Sequence, residues 1–247
     1  MDSPYARSMF PFVYQINPAG WAHLFYFGLV IPFTAIWQAR KFYGAASTLP
    51  DRLLHFRRTA AILVILGGIS LLVSWAQRMD LFPRVLPSWQ SIGAGLLMYI
   101  TAVIVMRPFW KRAVARRARM VHLFMPANGT ERAWWLVVAI LAGVCEEITW
   151  RGVQAGLAYR LFGNFWIATL FCAISFGAAH MIQRWKSAAG ISLFAIAFHL
   201  LVWLSGSLYI AIIVHIAYDI TAGMSFGKLG RDLGYSSHDL IESPTAF

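Results

Sequence analysis

Glu146 and Glu147 stand side by side in the apolar stretch from Trp134 to Trp150, and Arg151 follows Glu147 at the fourth residue. A charged Arg, Lys or Asp at the bilayer centre costs about 2.5–3.5 kcal/mol even on the lowest scales. Three charges in six residues are therefore kept where they are paired, line a wet cavity or do chemistry. On a helix, Glu147 and Arg151 are i,i+4 with the acid N-terminal, the favoured order for an ion pair. Glu146 lies about 100° around the helix, where nothing on its own segment neutralises it. Two later apolar segments offer partners, because Phe176 and His180 share one helical face and His215 and Asp219 share another. A carboxylate close to an imidazole fixes its tautomer. Glutamate with histidines in a low-dielectric site is the equipment of a base that takes a proton from water. It is equally a ligand set for zinc, through Glu146, His180 and His215. The structural alternative is a hydrogen-bond network that locks helices together. One buried pair would suit that role, whereas three separate pairs exceed what packing needs.

These residues have to be positioned by membrane helices. The chain is 59% hydrophobic and 13% charged, with mean hydropathy +0.61, against about 45–50% and about 25% for soluble domains. The expected fold is all-α, a polytopic bundle of about seven transmembrane helices. Residues 1–247 read as one integral membrane domain: N-terminal spans and a basic loop over 1–130, a motif-bearing core over 131–224, and a tail over 225–247. The net charge of +11 could suit nucleic acid, but in a membrane protein basic excess marks cytoplasmic loops, and no nucleic-acid partner is expected. Cys145 and Cys172 lie inside apolar segments without CxxC or zinc-finger spacing, so both read as packing residues. Asp2 and one arginine precede Trp21, and no cleavage-site pattern marks a signal peptide.

Seven stretches suit a hydrocarbon core about 30 Å thick: residues 21–38, 59–76, 88–106, 134–157, 165–183, 189–205 and 207–224. Sixteen basic residues fall on one side of this alternation, in the loops 39–58 and 107–133 and at Arg184, Lys186, Lys228 and Arg231. Only Arg7, Arg78, Arg84 and Arg160 fall on the other. That asymmetry predicts an N-terminus outside and a C-terminus in the cytoplasm, with the bacterial inner membrane as the expected location and membrane lipids as partners. The run Lys111–Arg119 reads as an amphipathic surface helix. Asn128-Gly-Thr130 matches a glycosylation sequon on the cytoplasmic side, where it carries no meaning. Counted at about 1.5 Å per residue, His180 falls nearer the cytoplasmic face than Glu146. His199 stands alone among Phe198, Leu200 and Leu201 and reads as a satisfied or interfacial histidine. His23, His55, His122 and His238, in loops or at helix edges, carry no catalytic signal.

Several intramembrane chemistries are absent. No His-Glu-x-x-His string occurs, the sole Ser-Gly pair, Ser205-Gly206, is preceded by Trp203 rather than glycine, and Asp219 is the one membrane aspartate. What remains is Glu146-Glu147-x-x-x-Arg151, Phe176-x-x-x-His180 and His215-x-x-x-Asp219, in that order over residues 130–224. This arrangement resembles the CPBP family of intramembrane proteases, which includes type II CAAX prenyl endopeptidases and bacterial Abi-type proteins. The resemblance implies a glutamate-dependent endopeptidase without a cofactor, acting on a membrane-associated protein or peptide. It implies that Glu146 and His180 activate water, that His215 and Asp219 support the oxyanion, and that Glu147, Arg151 and Phe176 hold the site. Asp219 departs from the Asn of CAAX endopeptidases. An ionised Asp cannot donate a hydrogen bond, so this residue either is protonated or orients His215. Two other functions stay open: a non-catalytic scaffold or bacteriocin-immunity protein, and a proton-coupled transporter, for which no paired helix breaks appear.

Overall fold

The computed structural model describes residues 15–44, 50–84, 86–118 and 120–234. Arg7, Arg119 and His238 lie outside them. Among the described residues there is no strand. The described residues hold seven apolar helices: α1 Pro18–Tyr43, α2 Arg52–Ala76, α3 Trp89–Ala115, α4 Gly129–Phe162, α5 Phe165–Ala179, α6 Trp185–Ser205 and α7 Tyr209–Asp232. Six are long and apolar enough to cross a membrane, and α5 is the shorter one. The molecule is an integral membrane protein.

The helix starts follow capping chemistry. Asn17 accepts from Gly20 N–H ahead of Pro18, Asp51 accepts from Leu54 N–H, and Ser88 accepts from Ser91 N–H. Asn128 accepts from Glu131 N–H at 2.9 Å, while Glu131 Oε2 accepts from Ala127 N–H at 2.8 Å. The sequon residue thus serves as an N-cap, and Glu131 reaches back one residue past it, to Ala127, instead of closing the reciprocal bond of a capping box. α4 consequently begins five residues before Trp134. The turns after α4 and α6 use Gly163 and Gly206 in the left-handed region, at φ 63° and 67°, which glycine adopts without penalty.

Two lengths place the site. α5 has 15 residues, about 22 Å at 1.5 Å per residue, and stops short of a 30 Å core. His180 terminates it. Glu146 lies roughly 24 Å back along α4 from the same turn at Gly163 and Asn164. The two residues are thus level. The depth mismatch expected from the span ends disappears because α4 runs on to Phe162 instead of ending at Leu157.

Residues 111–115 of the Lys111–Arg119 run belong to the end of α3 and form no separate surface helix. α3 continues unbroken through Ala115, since Ala, Lys and Arg are good helix formers and extend the ladder already begun in the span. Buried Trp110 and Val114 tie this end to α7, with the Trp110 and Phe226 rings 6.0 Å apart.

Close approaches bring the motif helices together. A Cβ on Gly143 would stand 3.0 Å from Ile216 N and 3.2 Å from Ile212 O, so α4 touches the α7 backbone one turn before Glu147. A Cβ on Gly67 would meet Cys145 Sγ at 2.7 Å, which makes Cys145 a packing residue of the α2–α4 contact. Gly143→Ala should push α7 outward and destabilise the fold by about 1–3 kcal/mol, as overpacking does. A lowered unfolding temperature in detergent, together with lowered activity, is the expected result. An unchanged melting curve would show that the two helices simply yield.

Candidate active site

α4 changes its winding where the charges lie. Residues Glu147–Gln154 form a π-helical stretch, and all eight are buried. Such stretches are rare and recur at functional sites. Within it, Arg151 Nη1 lies 3.1 Å from Glu147 Oε1, with the two side chains 1% and 0% exposed. The guanidinium is 4.2 Å from the Phe176 ring centre and 5.0 Å from that of Phe198. Desolvated cation–π contacts of this kind reach about 2 kcal/mol. Phe176 therefore forms the seat of Arg151 and also meets the His180 ring at a tilt, with ring centres 4.5 Å apart.

Around this sealed pair the remaining motif residues converge. His215 Nδ1 donates to Glu147 Oε1 at 2.7 Å, so one carboxylate oxygen serves both Arg151 and His215. The far nitrogen, Nε2, lies 3.8 Å from Glu146 Oε2 and 3.6 Å from Asp219 Oδ2. His180 Nδ1 donates to the Phe176 carbonyl at 2.8 Å, turning its Nε2 towards Glu146 Oε2 at 4.0 Å. Glu146, His180 and Asp219 are 20%, 26% and 27% exposed in their side chains, against 0% for Glu147. The site is an open cleft with a sealed floor. Separations near 4 Å between polar atoms leave room for a bridging water.

One pairing differs from the sequence expectation. Asp219 shares a helical face with His215 but stands at Nε2, and the carboxylate at Nδ1 is Glu147 from another helix. Asp219 is itself held through its backbone, whose carbonyl accepts from Trp135 Nε1 at 3.0 Å.

Sequence reasoning passed over a second polar cluster. His23, one turn inside α1 and buried, bonds Gln154 Oε1 at 2.9 Å and Ser70 Oγ at 3.0 Å. Ser70 Oγ in turn lies 2.9 Å from Thr149 Oγ1. The cluster pins α1 and α2 to the π-helical stretch. Gln154, at 0% exposure, sits seven residues after Glu147, and that spacing was its only signal. His199 is buried in α6. His122 lies in the turn Val121–Phe124, between Arg52 Nη1 at 3.3 Å and the Pro50 carbonyl at 3.0 Å. Burial foremost holds it below the usual histidine value, and Arg52 adds to that. With Arg52 Nε donating to Glu131 Oε2 at 3.0 Å, His122 joins two loops and stands apart from the cleft. Among the described residues, no three His, Cys, Asp or Glu side chains are grouped to hold a metal ion.

Residues 128–221 match the family model described as type II CAAX prenyl endopeptidase Rce1-like, which lies within the CPBP/Abi family. The match begins at the N-cap of α4 and ends two residues after Asp219. No curated protein and no solved structure matches the chain.

Proposed function

We propose, from the premise that residues 128–221 form a domain of the CPBP/Abi family of intramembrane proteases, that the cleft hydrolyses a peptide bond with water activated by Glu146 and His180. The observation that carries this reading is the convergence of Glu146 Oε2 on His180 Nε2 at 4.0 Å and His215 Nε2 at 3.8 Å. A water between Glu146 and His180 gives its proton to the carboxylate and attacks the carbonyl carbon. Glu146 then passes the proton to the leaving amine. Glu147 holds His215 by Nδ1, so that Nε2–H of the doubly protonated ring faces the developing oxyanion. A preorganised donor of this kind contributes about 2.7–4 kcal/mol. The reaction needs no metal in this reading: cleavage should persist in chelator without stimulation by added zinc, and loss in chelator with recovery on zinc would overturn it. The excess of Lys and Arg in the loops 39–58 and 107–133 supports an N-terminus outside, a cleft towards the cytoplasmic half and a bacterial inner membrane on this reading. The substrate is a membrane-anchored protein segment presented from that side.

The test is a comparison of membrane proteomes from cells carrying the wild type and Glu146→Ala. An uncleaved precursor should accumulate in the variant and disappear on complementation. Identical proteomes, with both proteins expressed and inserted, would reject the protease reading.

Asp219 at Nε2 supports the donor edge of the site and leaves tautomer control to Glu147. Asp219→Asn should accordingly keep kcat within about tenfold, whereas Asp219→Ala should lose about 10²-fold, the lower range for removal of an oxyanion-site donor. Equal and severe losses in the two variants would instead assign Asp219 the orienting role.

A further inference from the structure

Below the floor of the cleft lies a cavity of about 20 Å³, lined by Arg151, His199, Thr169, Tyr159, Phe165 and Trp203 among others. The lining residues of α4 and α5 fall between Arg151 and the turn at Gly163, so the cavity is on the side of Arg151 away from Glu146. Arg151 and His199 are 1% and 4% exposed. Arg151 Nε, Arg151 Nη1 and His199 Nε2 have no hydrogen bond among the described residues. One water needs about 10–15 Å³ and two to four polar partners, and this cavity supplies both. An anion is not called for, because the Arg151 charge is already matched by Glu147 at 3.1 Å.

We propose that a single buried water joins Arg151 to His199, and that His199 is thereby a positioning residue for the Glu147–His215 hydrogen bond. The positioning half rests on the protease reading above; the water half does not. The water oxygen accepts from Arg151 Nε–H, and one of its protons goes to His199 Nε2. Phe176 then fixes the guanidinium by its face and the water fixes it by its edge. The same guanidinium meets Glu147 Oε1, which receives His215 Nδ1–H at 2.7 Å. Without the anchor at its edge, Arg151 turns on the Phe176 ring and draws Glu147 off His215. His199 stands alone in the sequence among apolar neighbours, and its unpaired nitrogen, on a residue that lines the same water-sized cavity as Arg151, gives it this role.

The experiment uses the full chain in lipid nanodiscs, with hydroxyl-radical footprinting in ¹⁸O-labelled water and steady-state kinetics on the accumulating precursor. Wild type should show prompt labelling of Val202, a lining residue buried from the surface, and His199→Leu should remove it. His199→Leu should also lower kcat about tenfold, the lower range for losing an outer support of a site, with KM unchanged. His199→Gln places an amide near the position of Nε2 and should restore kcat to within about threefold and restore the labelling. An unlabelled wild-type cavity would overturn the water irrespective of activity. Labelling with unchanged kcat in His199→Leu would overturn the positioning role, as would failure of His199→Gln to rescue while it stays labelled. Loss of the protease reading would show separately, as undiminished cleavage in Glu146→Ala, and would leave the footprint unaffected.

Discussion

Glu146→Ala should lower turnover of the membrane-anchored substrate by about 10²–10⁴-fold, the range for removing a general base. His180→Ala should fall in the same range. The double variant should be little worse than the more damaged single one, since groups acting on one water are not additive. Both side chains lie in the open part of the cleft, 20% and 26% exposed, so melting temperatures should move by only a few degrees. The check is single-turnover cleavage by purified variants alongside their unfolding curves. Wild-type turnover by both single variants would remove the glutamate base from the mechanism. Strictly additive losses would mean that the two residues act on separate steps.

The second large effect is on stability. Arg151→Ala takes the guanidinium from the buried Glu147 carboxylate and leaves it held by His215 alone among its ion-pair partners here, and breaking a buried pair costs about 3–5 kcal/mol. Thermal stability and activity should fall together, because Glu147 Oε1 serves Arg151 and His215 at once. Arg151→Lys should rescue little of either. An ammonium lacks the planar face that lies on Phe176 and the second edge that reaches away from Glu147. A fully stable but inactive Arg151→Ala protein would show instead that the guanidinium contacts substrate.

Much of this site was legible because each motif lies within one helix. Glu147 with Arg151, Phe176 with His180, and His215 with Asp219 are all four residues apart, and helical periodicity places such residues on one face. The all-α membrane class followed just as directly from composition. What stayed hidden depends on contacts between helices. Nothing in the spacing of His215 and Asp219 shows that Glu147, 68 residues earlier, occupies Nδ1. The capping pair Asn128 and Glu131 was masked by the sequon it contains, which delayed the start of α4. His23 looked like a helix-edge residue because its partners, Ser70 and Gln154, come from other helices. The π-helical stretch has no signature in hydropathy at all. Periodicity carries faces, and long-range pairing decides which faces meet.

The equal arms from Gly163–Asn164 to Glu146 and to His180 have a consequence for how the protein meets different lipids. Base and histidine are gauged from one shared hinge, and neither is referenced to the bilayer surface. A thicker or thinner bilayer tilts both arms as one body, which leaves the Glu146–His180 separation intact. The height of the cleft relative to the headgroups shifts with that tilt. Lipid chain length should therefore select which bond of a tethered substrate arrives at the water, while the rate of the chemical step at a bond already in place stays nearly constant.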